Sequence, residues 1–183
     1  MSLRTGYTTG SCATAAAKAA TIGLFKGKIP DEVEIDTPAG ITLRLKIIDK
    51  QVTDNYADCA VQKDAGDDPD VTNGCKVHAR VERTFNDTIE IDGGEGVGRV
   101  TKPGLQVPVG YAAINPVPRS MIENAVREVI GHSKGAKVVI SVPNGRVLGE
   151  KTFNPKLGIM GGISIIGTTG IVRPMSEDAF KTS

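Results

Sequence analysis

The stretch Lys63-Asp-Ala-Gly-Asp-Asp-Pro-Asp-Val-Thr-Asn-Gly74 contains four aspartates, two glycines and one proline within twelve residues. Residues 57–62 precede this stretch and residues 76–82 follow it. In residues 76–82 apolar and polar side chains alternate, as they do in half-buried strands. Glycine adopts backbone angles that other residues avoid, and Asp, Asn and Thr side chains bond to nearby main chain. The stretch therefore predicts an ordered turn between two antiparallel strands. A calcium loop is not indicated, because the oxygen spacing departs from the EF-hand pattern and no Glu closes it.

More strands are predicted on both sides of this turn. Residues 32–37 and 41–48 alternate in the same way, and Pro38-Ala-Gly40 between them predicts a hairpin turn. Residues 138–142 form a short apolar run that is typical of a buried strand. Together these segments predict an antiparallel meander with one face toward water. His78 falls on the polar face, and we interpret it as an ordinary exposed histidine.

Two helices are predicted to pack with the meander. The second is expected to begin at a capping box formed by Ser120 and Glu123 and to end at Gly131. The first is alanine-rich and is expected to end at Gly27, and its free amides can be capped by one of three hydroxyls, those of Thr8, Thr9 and Ser11. A turn rich in Gly, Thr and Ser at a helix N-terminus is also typical of a binding site for a phosphate or carboxylate. These three residues are therefore candidates for anion binding.

The last part of the chain predicts a different arrangement. Residues 163–166 are expected to form a buried strand, with Gly167-Thr-Thr-Gly170 as a loop at its carboxyl end and a helix starting at Pro174 and Ser176. Strand, glycine loop and helix in this order place a nucleotide-like cofactor at the edge of a parallel sheet. The loop is not a G-x-G-x-x-G motif, so the pattern alone does not specify a dinucleotide. The overall prediction is an α+β fold, with residues 1–150 as one domain and 151–183 as the beginning of an α/β unit.

Composition limits the classes of function. The hydrophobic fraction is 39% and the charged fraction 23%, which allows a buried core. Twenty-two basic residues balance twenty-one acidic ones, and aromatic residues make up 4% with no Trp, so nucleic-acid binding is not indicated. We expect no membrane segment and no signal peptide. Three cysteines without C-x-x-C spacing predict buried thiols in a reducing compartment, and hence a cytoplasmic protein.

Several blocks of sequence resemble one known family, and they occur in the same order along the chain. They are LRTGYTTGSCATAAAKAA (3–20), KDAGDDPDVTNG (63–74), GEGVGRVTKPGL (94–105), INPVPRSMI (114–122) and GEKTFNPKLGIMGGISIIGTTGIVRPMSEDA (149–179). The chain resembles the S-adenosylmethionine-dependent methyltransferases of anaerobic cobalamin biosynthesis. These enzymes transfer a methyl group to C1 of cobalt-precorrin-5B and give cobalt-precorrin-6A.

The resemblance implies roles for particular residues. The corrinoid substrate carries acetate and propionate carboxylates, for which the candidate partners are Thr8, Thr9, Ser11, Arg99, Lys102 and Arg119. Asp64 or Asp67 is a candidate catalytic carboxylate that stabilises positive charge on the macrocycle or accepts a proton. The candidate residues for S-adenosylmethionine are Gly161, Gly162, Gly167, Thr168, Thr169 and Gly170. Cobalt belongs to the substrate, and we expect no separate metal site in the protein.

Family members extend beyond the segment that matches Pro174. We therefore expect residues 151–183 to be the entry to a second domain and to hold only the first wall of the cofactor pocket. On this expectation the chain alone keeps corrinoid affinity, binds S-adenosylmethionine poorly and shows no turnover. Two other classes stay open: a phosphate-binding, kinase-like enzyme that uses the first helix and magnesium, and a non-catalytic corrinoid-binding fragment.

Overall fold

The structure, a computed structural model, describes residues 3–174 and has an α+β fold. Its main sheet contains β4 (Ile48–Val52), β5 (Tyr56–Gln62), β6 (Lys76–Arg83), β7 (Ile89–Gly93) and β9 (Ala136–Ser141). The spatial order is β4-β5-β6-β9-β7. The first four strands in this order are antiparallel neighbours, whereas β7 runs parallel to β9. The predicted meander is therefore confirmed for β4 to β6, and a parallel edge strand is added to it.

Short strands complete the framework outside the main sheet. They are β1 (Gly6–Tyr7), β2 (Glu32–Asp36), β3 (Thr42–Lys46), β8 (Arg99–Val100), β10 (Ile159–Met160) and β11 (Ile171–Val172). β2 pairs with β3 across the predicted hairpin turn, β10 with β8, and β11 with β1, all antiparallel. The segment predicted as one strand over residues 41–48 is two strands, since the chain leaves β3 at Lys46 and enters β4 at Ile48.

Two long helices cover one face of the main sheet. They are α1 (Thr9–Lys26) and α2 (Pro116–Ile130), and the short helices α3 (Gly145–Glu150) and α4 (Asn154–Leu157) follow later. α1 packs against α2 and against strands β5 and β6, and its six buried alanines allow this close packing. α1 is capped by Thr8, one of the three predicted candidates, and ends at Gly27, as predicted. α2 starts at Pro116 after Asn115, four residues before the predicted Ser120, because proline suits the first turn of a helix.

The core forms where the sheet meets α1. On β6 the side chains of Val77, Ala79 and Val81 are fully buried, which is the alternation expected for a half-buried strand. The three cysteines are free and buried, as predicted, and burial raises the pKa of the Cys75 thiol to about 11. No helix within residues 3–174 is long and apolar enough to cross a membrane.

The polar face of the sheet corrects the interpretation of His78. Its side chain is only 18% exposed, and its Nδ1 lies 3.0 Å from Asp58 Oδ1. Asp58 also accepts a bond from Arg80, whose guanidinium covers the ring of Tyr56. The alternation along the strand alone predicted that His78 faces solvent, but charged and aromatic neighbours cover it.

The segment over residues 163–166 is extended but is not a strand of a sheet. Ile163 and Ile165 form isolated parallel bridges with Val97 and Ile114. Gly170 precedes β11 and does not follow a strand, so the predicted strand–loop unit is wrong. The segment forms no strand ladder because its backbone groups hydrogen-bond to several different elements and not to one continuous partner strand. The helix predicted at the end of the chain lies outside the described residues.

The division at residue 150 stays a prediction. Within the described residues, the chain after this point pairs with the earlier part through β10 on β8 and β11 on β1.

Candidate functional site

A cleft of about 400 Å³ lies between the 63–74 turn, the start of α1, the segment after β8 and the chain from α4 to residue 166. Its lining comes from all five of the sequence blocks quoted above and from residues 106–113. The lining residues are Thr9, Lys63, Asp70, Thr72, Val100, Leu105, Gln106, Val107, Ala113, Asn115, Thr152, Phe153, Asn154, Leu157, Ile159, Ile163, Ser164 and Ile166. This volume is within the range of small-molecule sites.

Backbone hydrogen bonds explain how one wall of the cleft is built. The Ile163 amide donates to Gly96 O, the Ile165 amide to Ala113 O and the Ile166 amide to Thr9 Oγ1. The extended segment over residues 163–166 is thereby fixed between residues 96–113 and the start of α1. Ile163 is buried in the wall, while Ile166 is 47% exposed.

The polar end of the cleft is built by the 63–74 turn. Lys63 is buried, and its Nζ donates to Asp70 Oδ2 at 2.7 Å and to the Thr72 hydroxyl. Asp70 Oδ1 accepts from both the amide and the hydroxyl of Thr72, each at 2.8 Å. Burial acts to raise the pKa of Asp70, but these bonds from Lys63 and Thr72 outweigh it and lower that pKa. Asp70 is therefore held as a carboxylate.

The two aspartates predicted to be catalytic lie elsewhere on the same turn. Asp64 pairs with the guanidinium of Arg4 at 2.6 and 3.0 Å, and this bond lowers the pKa of Asp64. Asp67 accepts from the Arg4 amide and donates its own amide to Arg4 O. Neither carboxylate lines the cleft. Both tie the chain before β1 to the turn, and their catalytic role stays a prediction.

The predicted anion site at the start of α1 is occupied by protein oxygens. The Thr8 amide donates to Gly170 O, the Gly10 amide to Ile166 O and the Ser11 amide to Thr8 Oγ1. Ser11 Oγ donates to Gly170 O, and Thr9 Oγ1 donates to Ser164 O. Of the three hydroxyl residues, only Thr9 lines the cleft.

The three predicted cations are not brought together. Val100 lines the cleft, and since side chains alternate along a strand, Arg99 points away from it and contacts Asp92 at 2.9 Å. Arg119 donates to Ile91 O on β7. The stem of Lys102 packs against Gly158, the residue that ends α4.

The predicted cofactor residues fall into two groups on either side of the cleft wall. Gly161 and Gly162 line a separate surface depression with Arg146 and Glu150. Of the other four, residues 167–170, two lie against the start of α1: a Cβ on Gly167 would lie 2.4 Å from Thr8, and Gly170 O accepts from the Thr8 amide. Thr169 O instead accepts from the Ala39 amide. These roles in binding stay predictions.

Lys63, Asp70 and Asn154 were missed by the sequence reasoning. Asn154 Nδ2 donates to Gly162 O and to Ser164 Oγ, both at 3.1 Å, which fixes α4 against the extended segment. For Lys63 and Asp70 a signal existed, because a lysine opens the acidic turn and a Thr follows the last aspartate. Among the described residues, no group of three or more His, Cys, Asp or Glu side chains is placed to hold a metal ion.

Comparison with known proteins identifies the relatives of this chain. The CbiD family model matches residues 1–174. The chain belongs to the CbiD family. Curated CbiD relatives carry the name cobalt-precorrin-5B C(1)-methyltransferase. That of Alkaliphilus metalliredigens is 59% identical over 99% of this chain and 48% of its own length. That of Thermoanaerobacter sp. is 56% identical over 99% of this chain and 50% of its own length.

A solved CbiD structure shows the same fold. It is a crystal structure of a cobalamin biosynthesis protein from Archaeoglobus fulgidus, with a TM-score of 0.73 and 35% identity. The match covers 98% of this chain and 58% of the other. The chain spans about half the length of the two curated relatives named above.

Proposed function

We propose that this chain provides the cleft in which cobalt-precorrin-5B is methylated at C1, with S-adenosylmethionine as methyl donor and cobalt-precorrin-6A as product. The observation that carries the proposal is the convergence of all five sequence blocks on one cleft. Relatives named for this reaction match the chain over nearly its whole length. The reaction would take place in the cytoplasm, which suits three reduced, buried cysteines.

The shape of the cleft suits one edge of a broad, flat macrocycle. A volume of about 400 Å³ is at the small end for ligand pockets, so the rest of the corrinoid would lie across the mouth. Phe153, Leu157 and Ile166 line this cleft and are 75%, 48% and 47% exposed. These apolar side chains would pack against the ring, and Lys102 beside α4 would meet one of its carboxylates.

S-adenosylmethionine, when bound, supplies a methyl group on a positively charged sulfur. Methyl transfer is an in-line displacement, so the contribution of the protein is mainly to position donor and acceptor. The apolar wall formed by Val100, Ile159 and Ile163 would exclude water, and Asp70 would offer negative charge to the donor. Asn154 would hold the wall in place through Ser164.

The kinase-like alternative is not favoured by the geometry at α1. That alternative needs the first helix to hold a phosphate through free amides. The Gly10, Ser11 and Cys12 amides instead donate to Ile166 O, Thr8 Oγ1 and Thr8 O.

The proposal predicts saturable binding of cobalt-precorrin-5B to this chain in a calorimetric titration. The same mixture with S-adenosylmethionine is then analysed by mass spectrometry for the addition of one methyl group at C1. Binding with methyl transfer would establish the activity, and binding without it would assign the chain to the non-catalytic alternative. Absence of binding by a folded chain would contradict the proposal.

A further inference from the structure

The uncharged polar side chains of the cleft are nearly all engaged within the protein. Lys63 and Asp70, the charged residues among its described lining, form a pair at 2.7 Å with no net charge. Discrimination between polar ligands therefore depends on uncharged groups with free hydrogen-bonding capacity. Those that are already hydrogen-bonded within the protein are Thr9, Thr72, Thr152, Asn154 and Ser164. The carboxamides of Gln106 and Asn115 also line the cleft, and neither bonds to a described residue.

Asn115 is the better placed of these two residues to bind a ligand. It is half-buried, whereas Gln106 is exposed and its carboxamide is open to water. Both backbone groups of Asn115 are paired, because its amide donates to Ile165 O and its carbonyl accepts from the Arg119 amide. The polar group that Asn115 can offer to the cleft is therefore its carboxamide.

The local sequence explains why this carboxamide is free. Asn115 is the N-cap residue of α2, where asparagine normally accepts a bond from the amide two or three residues later. It accepts no such bond here, and one of the two usual partners, Pro118, has no N–H. Pro116 at the first helical position has a backbone angle that suits the helix start. The helix thus begins without the asparagine side chain, which stays available to a ligand.

The surroundings of Asn115 favour a negatively charged group. Since the Lys63–Asp70 pair cancels, the helix dipole of α2 decides the sign, and its positive end lies at Asn115. No acidic residue in the first turn of α2 offsets this end. A carboxamide also supplies two N–H donors, which match the acceptor oxygens of a carboxylate.

We infer that Asn115 binds a side-chain carboxylate of the corrinoid and thereby determines which edge of the macrocycle enters the cleft. The inference rests on the proposed function and deepens it. The Asn115 amide bonds to Ile165 O, so this residue lies next to Ile166 at the mouth, where the ring would pack. Apolar packing is not directional, whereas a hydrogen bond from Asn115 distinguishes one edge of the ring from another.

Calorimetric titration of two variants with cobalt-precorrin-5B tests the inference. Asn115→Ala removes both donors, and the affinity should fall about tenfold. Asn115→Asp keeps the size of the side chain but places a second carboxylate against that of the ligand. It should therefore bind at least about tenfold more weakly than Asn115→Ala. Equal affinity for the wild type and both variants, or tighter binding by Asn115→Asp, would overturn the inference.

The same helix provides matched controls. Asn124 is exposed on α2 and does not line this cleft, so Asn124→Ala and Asn124→Asp should keep wild-type affinity. Urea denaturation tests whether the Asn115 side chain is free. Asn115→Ala should unfold at the wild-type urea concentration, because no side-chain cap bond is lost. A lower midpoint would show that the carboxamide is engaged within the protein and would overturn the inference.

The wild-type titration separates this inference from the proposed function. If the wild type binds cobalt-precorrin-5B and the Asn115 variants bind it equally well, only the role of Asn115 is wrong. Absence of binding by the folded wild-type chain would remove the proposed function together with this inference.

Discussion

Replacing Asp70 by Asn should lower the free energy of unfolding by about 3–5 kcal/mol at pH 7. The variant leaves the Lys63 ammonium, 4% exposed, without the carboxylate that neutralises it at 2.7 Å. Breaking a buried pair by removing one partner costs far more than the pair itself contributes, because the other charge stays desolvated. Urea denaturation followed by circular dichroism measures the change. Adding Lys63→Met should restore most of the loss, and Asp68→Asn should change stability by less than about 0.5 kcal/mol.

The same variant has a predicted dependence on pH. The pKa of Asp70 is lower in the folded protein than in the unfolded chain, so its stabilising effect is present above the unfolded value of about 3.9. The effect is lost as pH falls through the lower folded value. The difference in stability between wild type and Asp70→Asn should therefore be largest near neutral pH and shrink below about pH 4. A difference that stays constant down to pH 2 would show that the Asp70 charge does not stabilise the fold.

Replacing Gly162 by Ala should destabilise the protein by roughly 3 kcal/mol or more. A Cβ there would lie 2.1 Å from Gly96 O and 2.3 Å from Gly96 C, so two backbones that touch would have to separate. That separation would also strain the bond from the Ile163 amide to Gly96 O, which fixes the cleft wall. Thermal or urea denaturation measures the effect.

The neighbouring glycine is a matched control that separates two causes. Gly161 has φ +88° and a Cβ there would meet nothing within 4 Å, so Gly161→Ala adds only backbone strain of about 1–2 kcal/mol. If Gly161 binds the cofactor, this variant lowers affinity for S-adenosylmethionine while the fold is retained. Equal destabilisation by the two substitutions would contradict the backbone contact at Gly162.

Local features of the fold were predictable from the sequence. Thr8 caps α1 and Gly27 ends it, because caps and stops depend on residues within one turn of the helix. The hairpin over residues 38–40 and the pairing of β5 with β6 follow from alternation and turn residues in adjacent segments. The parallel pairing of β7 with β9 depends on contacts far apart in the chain, which no local pattern encodes.

The sequence predicted which segment would contribute to the candidate site, but not which of its side chains would line the cleft. The 63–74 turn was correctly expected to be ordered, and it contributes to the cleft. Its four aspartates look equivalent in sequence, yet Arg4 from a distant segment engages Asp64 and Asp67, whereas Asp70 turns toward Lys63. Which carboxylate faces a ligand is therefore set by tertiary contacts.

Binding of the corrinoid at this cleft is tested by its affinity for a variant at the mouth. Leu157 lines the cleft and is 48% exposed, so Leu157→Glu should leave the fold intact while placing a negative charge where the ring would pack. Val109 is 51% exposed and does not line the cleft, which makes Val109→Glu the matched control. Calorimetric titration with cobalt-precorrin-5B should show an affinity at least about tenfold weaker for Leu157→Glu than for the wild type. The reason is that an apolar contact is lost and the new carboxylate repels the carboxylates of the corrinoid. Val109→Glu should bind the corrinoid with wild-type affinity. Equal affinity for the wild type and both variants would show that the corrinoid does not bind at the mouth of this cleft.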